Sequence, residues 1–171
     1  QLAAEAESSP PGAKGLVLLP YFSGERTPIH DTGAKGLLFG LDLTHTRGDM
    51  FRAVLEGIAH GTRHVFETYA EAGQAPHAVY AVGGGTNNQV WSEVTSDISG
   101  LRQVIRQKTI GASYGDAFLA ALAVGDVAPD DIERWNPVAR EIKPRAGLKP
   151  MYDRQHGVFR GLYPATRGFL A

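Results

Sequence analysis

The residues best suited to chemistry are the run Gly83-Gly84-Gly85-Thr86-Asn87-Asn88. They follow an apolar stretch, Ala78-Val79-Tyr80-Ala81-Val82, and precede Val90, Trp91, Val94 and Ile98, whose spacing of three and four residues marks a helix. A glycine-rich turn between a strand and a helix aims backbone amides and a helix N-terminus at whatever lies beyond the strand. That arrangement suits phosphate, or the sugar and base of a nucleotide. The spacing is not the dinucleotide fingerprint, because no glycine stands at the sixth position and no acidic residue ends a following strand about 20 residues on. Nor is it a Walker sequence, since Lys108-Thr109 lacks the glycines that must precede it. A tight turn that binds nothing fits the same residues.

Other side chains offer weaker chemistry. Glu56, His60 and His64 recur at four-residue spacing on one helix face, as metal ligands do, but the stretch is not H-E-x-x-H and supplies no further ligand. Hydrogen-bonded or solvated histidines explain it. His30, His45, His77 and His156 stand alone. Of the carboxylates that could act as a base, Asp49 reads as a helix cap and Asp31 as a turn residue, with Asp42 between them. Ser23 is not in a G-x-S-x-G elbow, so acyl transfer has no signal. The polar loop Gly24-Glu25-Arg26-Thr27-Pro28 lies between two buried strands, where functional loops sit, although an ion pair closing it is explanation enough. Trp91 shares the apolar helix face of Val94 and reads as core.

Behind these residues stand the elements that must position them. Residues 1–14, with Pro10-Pro11 between Ser8-Ser9 and Gly12, read as a linker or frayed terminus, which leaves residues 15–171 as one domain. Gly15 to Phe22 is an almost continuous apolar run, a strand buried on both faces. Leu37 to Leu41 is a second strand beside it. Thr46 and Asp49 form a capping box that opens a long amphipathic helix through Phe51, Leu55, Ile58, Val65 and Tyr69 to Gly73, with Arg52, Glu56, His60, Arg63 and Glu67 on its polar side. After the glycine run and its helix come a strand at 103–107 and a helix opened by a second capping box, Ser113 and Asp116. A helical turn at 129–135, a strand at 139–142 and a last helix at 149–163 complete the chain. Strand-then-helix repeats predict an α/β fold, a mixed but mostly parallel sheet flanked by helices, with its site at the strands' carboxyl ends.

The 171 residues include 17 basic and 18 acidic side chains, 43% hydrophobic residues and no cysteine. The length suits one core. Without cysteine there is no disulfide framework, thiolate zinc site, iron–sulfur cluster or thiol nucleophile, and the cytoplasm is the simplest compartment. A net charge of −1 provides no electrostatic footprint for nucleic acid or an anionic membrane. No apolar run approaches the roughly 18–20 residues that span a bilayer. The chain opens Gln1-Leu2-Ala3-Ala4 rather than with Met, as a piece of something longer would.

Four blocks together resemble the C-terminal domain of the FGGY carbohydrate kinases, and within them the xylulokinase-like members. They are Leu18-Leu19-Pro20-Tyr21-Phe22-Ser23-Gly24-Glu25-Arg26-Thr27-Pro28; Gly36 to Leu41 with Asp49 to Glu56; Val82-Gly83-Gly84-Gly85 through Trp91, Glu93 and Ser96-Asp97-Ile98 to Gly100; and Ile110 to Ala120. The resemblance runs from about Gly15 to Tyr163 in the family's order. It implies the ribonuclease-H-like fold shared by sugar kinases, actin and Hsp70, in which two domains close on ATP, Mg2+ and a sugar. Gly83, Gly84 and Gly85 would then approach the nucleotide, and Asn88 would hydrogen-bond it.

The resemblance also implies that the catalytic Asp, the phosphate loop, most of the Mg2+ site and most sugar contacts belong to an N-terminal half. No catalytic or metal residue is therefore expected among these 171, and the chain alone should not transfer phosphate. Its expected partners are the sugar, the nucleotide and that other half, and a homodimer is compatible with it. Glu93, where the family usually has Gln, and Ser113-Tyr114-Gly115-Asp116, bulkier and more acidic than usual, depart from the pattern. The function implied is ATP-dependent phosphorylation of a ketose such as D-xylulose. The alternatives are a non-catalytic nucleotide-sensing or dimerisation module, or a kinase for ribulose, glycerol or gluconate.

Overall fold

The computed structural model describes residues 1–169. The first apolar run condenses into β1 (Val17–Leu19), buried at all three positions and paired antiparallel with β2 (Leu37–Phe39). The loop between them is closed by backbone, with Glu25 and Asp31 exchanging N–H···O bonds of 2.8 and 2.7 Å, and by Tyr163, whose hydroxyl donates to Asp31 Oδ2. Among the described residues no ion pair closes it, contrary to the expectation from sequence: the Glu25 carboxylate accepts from the Arg26 and Thr27 amides instead.

Helix α2 (Arg47–Glu71) starts as expected. Thr46 Oγ1 accepts from the Asp49 amide at 3.2 Å while Asp49 Oδ2 accepts from the Thr46 amide at 2.8 Å. At about 1.5 Å per residue its 25 residues are about 38 Å long, and the core packs along it. Leu55 and Ala59 pack against Val90, Val94 and Ile98 of α3 (Gln89–Ser99), Tyr152 of α6 (Lys149–Thr166) and Ala6 of α1 (Leu2–Ser8). The first half of the polar side of α2 is buried as well, since Arg52, Glu56 and His60 are each 5% exposed or less.

That burial overturns the reading of residues 1–14 as a linker or frayed terminus. Arg52 and Glu56 need partners inside the protein and find them there. Arg52 Nη1 donates to the carbonyls of Ala6 and Ser9, Glu56 Oε1 accepts from the Gly12 amide at 3.0 Å, and Ser9 Oγ donates to Asp49 Oδ1 at 2.6 Å. Helix α1 lies so close on α2 that a Cβ at Gly48 would stand 2.5 Å from the Glu5 carbonyl oxygen.

A second sheet contains β3 (Val79–Ala81), β4 (Gln103–Arg106) and β5 (Val138–Ile142) in that order. Helix α3 carries the chain from β3 to β4, which pair in parallel. Strand β5 pairs antiparallel, so the sheet is mixed, with a smaller parallel part than the repeats predict. The cause is local. After α4 (Ala112–Ala123) and α5 (Ile132–Trp135), Asn136 exchanges two 2.9 Å hydrogen bonds with the Lys108 backbone. Strand β5 therefore begins where β4 ends. The second capping box does not form: α4 opens after Gly111 without any side-chain cap.

Candidate functional site

Both parallel strands leave the sheet in the same way. The chain turns through a glycine at positive φ, Gly83 (φ 86°, ψ −178°) after β3 and Gly111 (φ 91°, ψ −137°) after β4, and enters a helical turn. A side chain at Gly83 would be strained by about 1–3 kcal/mol in this region of backbone space. The two exits are tied together, since the Gly83 amide donates to the Thr109 carbonyl at 2.7 Å. In each turn the third amide finds an internal acceptor, Thr86 N–H to Gly83 O and Tyr114 N–H to Gly111 O. The first two do not. Among the described residues, the amides of Gly84 and Gly85, and of Ala112 and Ser113, have no hydrogen-bond acceptor. Unpaired donors at the start of a helical turn after a parallel strand are of the kind that can bind an anion.

The three consecutive glycines have three different reasons to be glycine. Gly83 is required by its backbone conformation. At Gly85 a Cβ would stand 2.7 Å from the Trp91 ring, so core packing excludes a side chain. At Gly84 nothing lies within 4 Å, and φ is ordinary. Only there, among the three, does the folded chain give no reason for the missing side chain. Asn88 serves the fold through its Oδ1, which accepts from the Trp91 amide at 3.1 Å and caps α3, so its Nδ2 is what remains for a ligand. Trp91 lies against the hydrophobic core, as the sequence predicts, and its ring also supports the turn.

Clefts open on either side of Val82. One, of about 170 Å3, is lined by Thr62, Gly85, Thr86, Trp91, Thr95 and Gln103. The other, of about 240 Å3, is mostly apolar, and Lys108, Gly111, Tyr114, Phe118 and Trp135 line it. Gly111, Ala112 and Ser113 are candidate site residues that spacing arguments missed. The available signal was the repetition of strand, glycine and helix start, which resembled an ordinary helix opening. The departures at Glu93 and Tyr114 have structural accounts. Glu93 accepts from Gln89 and lies 3.7 Å from Arg145, while the Tyr114 hydroxyl donates to the Trp135 carbonyl at 3.0 Å. Nothing in the structure explains Asp116.

The histidines are not a metal centre. His60 Nδ1 lies 3.2 Å from His156 Nδ1, and His156 Nε2 lies 3.1 Å from Glu67 Oε2 between α2 and α6, so neither His60 nor His156 stands alone. Burial pushes His60 down to about 3, holds His64 near 4 and lowers His156, so all three are neutral at pH 7. Burial pushes the Glu56 carboxyl up, against the Gly12 amide, the Arg52 guanidinium and the Tyr152 hydroxyl, which all favour its charged form. Among the described residues, no group of three or more His, Cys, Asp or Glu could hold a metal ion, and no helix is long and apolar enough to cross a membrane.

This fold is that of the sugar kinases of the actin and Hsp70 class. Over 99% of the chain it superposes on 34% of the crystal structure of xylulose kinase from Rhodospirillum rubrum with a TM-score of 0.87, at 36% identity. Gluconate kinase from Lactobacillus acidophilus gives 0.85 at 25% identity, over 96% of this chain and 34% of that one. The chain belongs to the FGGY family of carbohydrate kinases: residues 1–124 match that family's C-terminal domain. In sequence it is 32% identical over 169 residues to xylulose kinase of Bacillus subtilis, which covers 98% of the chain and 34% of the relative. The chain thus spans about a third of the length of the curated relatives it matches.

Proposed function

We propose that this chain is the nucleotide-holding part of an ATP-dependent carbohydrate kinase that phosphorylates a ketose such as D-xylulose. One observation carries the reading: the amides of Gly84, Gly85, Ala112 and Ser113 lack an acceptor among the described residues and stand in the two turns after β3 and β4 that the Gly83–Thr109 bond ties together. Phosphoryl transfer asks a protein mainly to position the nucleotide and to place donors where negative charge accumulates, and preorganised backbone amides do that without a charged side chain. Gly83 sets the turn, Gly84 leaves room for the ligand, Gly85 seats on Trp91, and Asn88 offers its Nδ2. The deprotonating carboxylate and the residues that hold Mg2+ lie outside these 171 residues in this reading, as do most sugar contacts. Closure of the two parts would align the sugar hydroxyl with the γ-phosphate. The ketose preference rests on the similarity to xylulose kinases.

The test is a titration of the 171-residue chain with ADP, followed by amide NMR. Weak binding is expected, with shifts concentrated at 83–88 and 110–114, and ATP plus D-xylulose should yield no sugar phosphate. Shifts elsewhere, or turnover by the chain alone, would overturn the reading.

A further inference from the structure

Among the described residues, one side chain from outside the glycine turn and its own helix bonds to the turn. Arg140 stands in β5, opposite Ile105 of β4, on the sheet edge farthest from β3, where the turn begins. Its Nη2 donates to the Thr86 carbonyl at 2.7 Å. That is its single side-chain hydrogen bond, and it forms no ion pair among the described residues. Thr86 in turn holds Gly83, its amide and Oγ1 donating to the Gly83 carbonyl at 3.2 and 2.8 Å. Gly83 is fastened to β4's exit through Thr109. The turn is therefore tethered at its front to β4, supported from below by Trp91 at Gly85, and tethered at its back to β5 through one guanidinium.

We infer that Arg140 is a positioning residue for nucleotide: by holding Thr86, whose amide and Oγ1 in turn hold the Gly83 carbonyl, it steadies the Gly83–Gly84 peptide that aims the free Gly84 amide. The inference rests on the nucleotide reading above. The Gly83 carbonyl and the Gly84 amide share one planar peptide, so the two bonds from Thr86 that hold this carbonyl limit rotation of that amide, and the hold on Thr86 from Arg140 keeps those two bonds in place. Donors fixed in advance lose less order when the ligand arrives. A charged donor to a carbonyl is also stronger than a neutral one. Arg140 touches neither ligand nor reacting atoms, and it acts through Thr86.

The experiment compares the chain with its Arg140→Ala, Arg140→Gln and Arg140→Lys variants. Arg140 is exposed on an edge strand, so melting temperatures should stay within a few degrees. Hydrogen exchange of the Thr86 and Asn88 amides, both bonded inside the turn, should quicken about tenfold in Arg140→Ala and Arg140→Gln. Exchange at Val94 to Ile98 should not change. ADP affinity should fall by a similar factor, and Arg140→Lys, which keeps a charged donor, should recover part of both effects. Unchanged exchange and affinity in Arg140→Ala, with Gly84→Val abolishing ADP binding, would overturn the positioning role and leave the nucleotide reading intact. No ADP binding by the unaltered chain at millimolar concentration would sink the nucleotide reading, and the exchange data would then decide whether Arg140 braces the turn.

Discussion

Two polar regions of this domain are opposites. In one, around α2, the charged groups are buried and bonded inside the protein: Glu56 Oε1 accepts from Gly12, Arg52 and Tyr152, and Asp49 accepts from Ser9, Lys14 and Thr46, while Glu56 Oε2, His60 Nε2 and His64 Nδ1 have no partner. In the other, in the turns after β3 and β4, four backbone donors have no acceptor among the described residues, and two clefts lie beside them. By residue type the first region looks more chemical, with its histidines, carboxylates and arginine. Its partners reveal it as structure. A buried charge must be satisfied inside the protein, so bonds that tie Arg52, Glu56 and Asp49 to other elements mark a structural device, whereas backbone donors without an acceptor at a strand end are available to a ligand.

If that contrast is right, the largest stability loss should come from the closed region. Glu56→Ala leaves the Arg52 guanidinium buried and unpaired and frees Gly12 from α2, which should cost about 3–5 kcal/mol in urea unfolding. A change below about 1 kcal/mol would mean that residues 1–14 are not held through Glu56. Acid should act on the same region. The folded-state value of His60, near 3, lies below the ordinary histidine value of about 6.5. Stability from keeping His60 neutral is thus complete above about pH 6.5 and declines, by about 1.4 kcal/mol per unit, as pH falls toward 3. His156 and His64 are lowered too, and Asp49 and Glu67 are held below the usual carboxylate range by their hydrogen bonds despite burial, so all act in the same direction. Thermal melting from pH 7 to pH 4 should show a steep decline, and His60→Gln should flatten it.

The glycine turn sharpens the contrast within three residues. Gly85→Ala pushes a methyl group into the Trp91 ring and should cost about 1–3 kcal/mol. Gly84→Ala meets nothing, so its stability should stay within about 0.5 kcal/mol of the unaltered chain. Nucleotide titration should nevertheless weaken in both. A large stability loss in Gly84→Ala would show that its lack of a side chain serves the fold rather than a ligand.

How much was legible beforehand depended on the distance over which each signal acts. Thr46 and Asp49 announced the start of α2 because a capping box closes within four residues. Gly100 announced the end of α3 because a left-handed residue is needed one step past the helix. Ser113 and Asp116 carried the same letters and formed no cap, since Gly111 turns the chain before either could act. Pro10-Pro11 did read as linker by local rules. What ties that segment down is 35 to 46 residues away, on Asp49, Arg52 and Glu56, and no local rule reaches so far.

The sequence by itself determined the family, the α/β class, the long capped helix and the glycine turn, because each is written in residues a few positions apart. Tertiary structure alone decided that β5 runs against β4, that α1 seals the polar face of α2, and that Gly85 answers to Trp91 while Gly84 answers to nothing inside the chain. It alone brought the exits of β3 and β4 together and set Arg140 behind them. Those are meetings of groups distant in sequence, and they form only when burial of the shared core brings them into contact.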